Sequence, residues 1–81
     1  MPEKNINDII LILSQIKEEN GVPRNVKDKI DVIVGILQEE TDVSIKISRV
    51  SHELDEISAE NNLEPHTRTQ IWNVVSLLEK I

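Results

Sequence analysis

The densest run of groups able to do chemistry is Arg49-Val50-Ser51-His52-Glu53-Leu54-Asp55-Glu56. On a helix, His52 and Glu56 lie one turn apart, so an imidazole and a carboxylate could share a metal ion while Glu53 acted on its water. One functional reading is therefore a metal-assisted hydrolase built on a His-Glu-x-x-Glu helix face. The pattern falls short of a zinc-binding helix, which needs histidine at the last position, and a catalytic zinc takes three protein ligands. The other histidine, His66, is badly placed to be the third. If the chain turns around residue 62, His66 is level with Ser58, roughly 9 Å along the axis from His52. There is no cysteine, which excludes disulfides, thiol catalysis and cysteine-ligated metals. No glycine-rich phosphate loop, nucleophile elbow or dinucleotide fingerprint occurs. The sequence therefore assigns no catalytic residue, no metal ligand and no cofactor.

The element carrying these groups decides which way they point. At 100° per residue, Arg49, His52, Glu53 and Glu56 fall roughly 80–180° from the centre of the apolar stripe Val43, Ile47, Val50, Leu54 and Ile57. They face water, and the spacing predicts i,i+4 pairs of Arg49 with Glu53 and of His52 with Glu56, each worth about 0.2–0.5 kcal/mol. Arg68 is expected level with Glu56 across the following turn, in position for an ion pair.

That stripe is one of four. Ile6, Ile9, Ile10, Leu13 and Ile16 recur at three- and four-residue intervals, behind Asn5 as a candidate N-cap and ahead of Gly21 as a candidate left-handed C′ residue. Val26, Ile30, Ile33, Val34 and Leu37 follow Pro23, which suits a first helical turn. Thr41 or Asp42 can cap the third helix, and Pro65 opens a fourth with Ile71, Val74, Val75, Leu78 and Ile81 inward. The predicted helices span about 5–20, 23–39, 42–59 and 65–80. The 21 Ile and Val residues favour strand, but helix propensity differs from that of Leu by well under about 1 kcal/mol per residue, so sustained periodicity decides. Short connections force neighbours antiparallel. The expected fold is all-α: one domain over 1–81, an antiparallel up-and-down four-helix bundle, with a three-helix arrangement and an irregular arm as the alternative.

Laying residues 1–40 over 42–81 aligns the stripes without a gap, and eight of forty positions are identical, among them Leu13 with Leu54, Ile16 with Ile57, and Glu19-Asn20 with Glu60-Asn61. Two readings stay open. The chain is a duplicated helical hairpin, or two amphipathic hairpins of equal length align as any such pair does. Gly35, opposite Ser76 in this alignment, is read as allowing a close helix approach, since glycine otherwise costs about 1 kcal/mol in a helix interior.

Composition narrows the partners. Nine Lys and Arg against fifteen Asp and Glu give a net charge of −6, spread evenly over both halves. With no basic block to neutralise phosphates and no aromatic residue besides Trp72 to stack on bases, nucleic acid is disfavoured, as is anionic lipid. No apolar run reaches membrane-span length, and the N-terminus lacks the order of a secretory signal. Off the core stripes, Leu11, Val32 and Ile45 point outward, Ile12, Ile36 and Leu77 lie at one flank and Trp72 at the other. Single exposed apolar residues are ordinary, but a contiguous group marks an interface. Trp72 is either a seam residue or, as the type most enriched in binding hot spots, a contact residue.

Gly21-Val22-Pro23-Arg24-Asn25, the run Ser48 to Ile57, and His66-Thr67-Arg68-Thr69 with Ile71-Trp72 resemble an uncharacterised family of small archaeal proteins (UPF type), across almost the whole chain. The resemblance implies a helical bundle in a cytoplasmic archaeal setting and implies no activity. The functional expectation is a non-enzymatic protein–protein interaction module that self-associates or meets a protein partner through the third and fourth helices, its candidate surface being Arg49, His52, Glu53, Glu56, Arg68 and Trp72.

Overall fold

The computed structural model of the chain describes the backbone of residues 2–81 and the side chains of residues 5–81. It contains four α-helices: α1 (Pro2–Lys17), α2 (Arg24–Leu37), α3 (Val43–Ser58) and α4 (Pro65–Leu78). They form a closed ring in which α1 packs on α2 and α4, and α3 on α2 and α4. The diagonal pairs α1/α3 and α2/α4 make no close approach among the described residues. This is the up-and-down bundle that the short connections require, 32 Å long and 18 × 17 Å across.

The helix boundaries reproduce the internal repeat. Moved by 41 residues, the bounds of α1 coincide with those of α3, and those of α2 with those of α4. Burial repeats as well. Ile9 and Val50, Leu13 and Leu54, Ile16 and Ile57, Val22 and Leu63, Val26 and Thr67, Ile30 and Ile71, Ile33 and Val74, and Leu37 and Leu78 are all buried. Among the described residues, only Ile36 is buried without a buried counterpart. Loop and cap positions lie outside the reach of amphipathic periodicity, so their agreement at Val22/Leu63 and at the helix ends favours the duplicated hairpin over chance alignment.

The same operation relates two contacts at the end of the bundle that carries the 18–23 and 59–64 connections. Asn25 Nδ2 donates to Glu60 Oε2 at 2.8 Å, and His66 Nε2 lies 3.6 Å from Glu19 Oε2. Each loop carboxylate of one hairpin thus meets the first turn of the second helix of the other hairpin.

Several sequence expectations need correction. α1 begins at Pro2, so Asn5 lies inside the helix and is not its N-cap. Pro23 is itself the N-cap of α2, one residue before the first helical position. The Asp42 cap forms, its carboxylate accepting from Ser44 N at 3.0 Å, and Pro65 occupies the first turn of α4 as expected. No glycine has a positive φ, so Gly21 is not a left-handed C′ residue. A Cβ on Gly21 would meet only the carboxylate end of the exposed Glu64 side chain, 2.5 Å from Oε1, which can swing aside. Val43, at the very start of α3, remains partly exposed instead of joining the core, whereas Ile36, on the flank of α2 that α3 covers, is buried.

Gly35 also departs from expectation. A Cβ at this position meets nothing within 4 Å, so no helix approaches it closely. Gly35→Ala removes backbone freedom from the unfolded chain at a helical site with room for the methyl group. It is expected to raise stability by about 0.5–1 kcal/mol in urea unfolding followed by circular dichroism.

Candidate functional site

Helix α3 presents the candidate groups on its solvent side, as its periodicity dictates, but their partners come mainly from α2. Lys29 Nζ lies between two carboxylates, 3.3 Å from Glu53 Oε2 and 3.1 Å from Glu56 Oε1. Arg49 does not pair with Glu53; its Nη1 reaches Glu39 Oε1 at 3.0 Å, beyond the end of α2. The expected His52–Glu56 pair is present but loose, with Nε2 3.9 Å from Oε1 and the imidazole side chain 76% exposed. Contacts within one helix turn have lost to contacts between helices, because the α2/α3 interface brings Lys29 and Glu39 within easy reach.

Arg68 forms no ion pair with Glu56. Its guanidinium lies over the C-terminal end of α3 and donates to the carbonyls of Ser58 and, at 3.1 Å, Glu60. There it satisfies acceptors that the ending helix leaves without partners and places positive charge against the negative end of the helix dipole. Trp72, one turn further along α4, is 60% exposed and so does not lie buried in a helix seam. Because α2 and α4 flank α3 on opposite sides, the six candidate residues divide. Arg49, Glu53 and Glu56 belong to the α2 side, Arg68 and Trp72 to α4, and His52 projects between them.

This arrangement bears directly on metal chemistry. The position between Glu53 and Glu56 is taken by the Lys29 ammonium, and His66 stands beside Glu19 at the bundle end. Among the described residues no three His, Cys, Asp or Glu side chains converge as a metal would need. The other large outward apolar residues are spread over the three other helices. Leu11 is on α1, Val32 on α2, and Val43 and Ile45 on α3.

Sequence reasoning missed Lys29, whose role needs the α2/α3 register, and the buried Val22, Leu63 and Thr67. For Val22 and Leu63 a signal was available, since they are apolar residues in equivalent loops 41 positions apart.

With the fold and its surface groups described, comparison with known proteins places the chain. The sequence profile of UPF0147, an uncharacterised protein family, matches residues 1–81. The chain belongs to this family. UPF0147 relatives include proteins of two archaea, Methanocaldococcus jannaschii and Archaeoglobus fulgidus. The first is 36% identical over 81 residues, covering 99% of this chain and 87% of the relative. The second is also 36% identical, covering 100% and 93%. Among solved structures, a protein of unknown function, MMP1188, superposes with a TM-score of 0.92 at 36% identity, covering 100% of this chain and 93% of that one. A UPF0147 protein from Thermoplasma acidophilum gives 0.88 at 25% identity, covering 96% and 93%. The all-α fold is therefore shared with crystal structures. Membership of UPF0147 brings no catalytic residue to carry over.

Two outcomes follow from the ion-pair geometry. The Lys29 pKa is raised from its ordinary 10.5, mainly by the hydrogen bond to Glu56 and further by Glu53, against a partial loss of hydration. The folded chain therefore holds this proton more tightly than the unfolded chain. The stabilisation is complete below the unfolded value of 10.5 and is lost as pH rises through the higher folded value. Urea midpoints of wild type and Lys29→Gln should differ at pH 8 and converge above that range. Arg68→Met leaves two carbonyls without their charged donor and is expected to lower stability by about 1–2 kcal/mol in the same assay.

Proposed function

We propose that this protein is a single-domain, non-catalytic interaction module that works in the cytoplasm and self-associates through the side of the bundle bearing Trp72. The exposure of Trp72 carries the reading. Among the described residues sixteen aliphatic side chains are buried to 6% exposure or less, yet the chain's only aromatic side chain stands 60% exposed. An indole offers the largest apolar contact area of any side chain with little conformational entropy to lose, which is why Trp dominates binding hot spots. A protein partner agrees with the net charge of −6, which repels nucleic acid and anionic lipid alike. The cysteine-free sequence agrees with a reducing compartment.

The polar groups nearby support contact better than catalysis. Glu53 and Glu56 are engaged by Lys29, and Arg68 by two carbonyls, so neither set is poised for proton transfer. Among the described residues no helix is long and apolar enough to cross a membrane.

Light scattering behind a sizing column tests the proposal. Wild type is expected to show a concentration-dependent dimer, and Trp72→Ala to weaken it by roughly 30-fold or more, the scale of a hot-spot residue. A wild type that stays monomeric at millimolar concentration, or a dimer indifferent to Trp72→Ala, overturns it.

A further inference from the structure

The two hairpins are joined only by residues 38–42, between the end of α2 and the start of α3. Everything else that holds α1–α2 against α3–α4 is non-covalent. It includes the aliphatic seam, the Lys29 ion pairs with Glu53 and Glu56, the Lys46 Nζ donation to the Leu37 carbonyl and, at the far end, the equivalent Asn25–Glu60 and His66–Glu19 contacts. No disulfide can lock the halves together, because the chain has no cysteine.

We propose that two copies of the chain exchange hairpins, α1–α2 of one copy packing on α3–α4 of the other. In the exchanged dimer every buried pair and both end contacts re-form between chains, and only the 38–42 connection changes conformation. That connection is thinly tied. Beyond the Asp42 cap, its side-chain contact to the rest of the bundle is the exposed Glu39–Arg49 pair, and exposed pairs contribute little. The difference between the closed monomer and the exchanged dimer therefore lies in a five-residue hinge, the circumstance in which domain swapping is cheap. The internal repeat adds a second route. The inner faces of the two hairpins carry near-equal residues at equivalent positions, Ile9 against Val50 and Ile33 against Val74 among them. An opened α1–α2 hairpin can thus also be met by another α1–α2. The occupant of the opened face is a second copy of this chain, because the complementary surface is the chain's own other half. This contact is independent of Trp72.

Two full-length variants test the proposal. Deleting Glu39, Glu40 and Thr41 shortens the hinge so that α2 cannot turn back into α3. The chain is then expected to elute at twice the monomer mass with unchanged helix content. The double variant Asn25→Cys/Glu60→Cys places the two thiols where a direct side-chain contact now exists. Refolded at high concentration and oxidised, it is expected to give disulfide-linked dimers on non-reducing gels, and to give them equally in a Trp72→Ala background. A hinge-deleted chain that remains a folded monomer overturns the proposal. So does a double variant that oxidises only within one chain at every refolding concentration, whether or not the deletion variant folds. A disulfide-linked dimer of the double variant that Trp72→Ala abolishes likewise overturns exchange.

Discussion

Contact between the two sets of aliphatic side chains on the inner faces of the hairpins is the interaction on which the bundle depends. Leu13, Leu54, Ile16, Ile57, Ile30 and Ile71 are buried almost completely, and no buried aromatic ring or disulfide reinforces them. A chain of 81 residues buries only about 60–65% of the surface its unfolded form exposes, so stability rests on how fully this narrow seam is filled. The repeat meets that constraint by applying one packing solution twice. Each hairpin supplies half of every layer, and the two inter-hairpin interfaces, α1/α4 and α2/α3, are versions of the same contact.

The parts of the fold legible in the sequence were those governed by helical periodicity. Ile9, Leu13, Val50, Leu54, Ile71 and Val74 lie where the three- and four-residue spacing places them. Errors gathered where that period stops. Val22 and Leu63 sit in connections, where spacing says nothing about direction, and they are buried because each loop folds its apolar residue over the end of the seam. Gly21 reads as a left-handed cap by residue type, yet its backbone is ordinary and its nearest neighbour is the movable Glu64 carboxylate, 43 residues away in sequence. Ile36 and Val43 exchanged roles because burial at a helix flank depends on how far the neighbouring helix extends. No pattern within a single helix reports that.

The candidate surface was legible in its residues but not in its pairings. Sequence spacing ties Arg49 to Glu53 and leaves Lys29 without a role, whereas the folded chain gives Glu53 and Glu56 to Lys29 and sends Arg49 to Glu39. Comparison of the halves locates the specialised features on the outside. Where α1 and α2 are bridged by Lys17 and Asp31, the equivalent positions on α3 and α4 are Ser58 and Trp72. The core constrains both hairpins to the same apolar pattern, while the outer faces are free to diverge.

Placing the only indole outside the seam also separates two optical signals. Melting the aliphatic interior changes the surroundings of an indole that is already 60% exposed, so intrinsic fluorescence reports unfolding less fully than backbone ellipticity does. The same emission is left free to register events at the molecular surface.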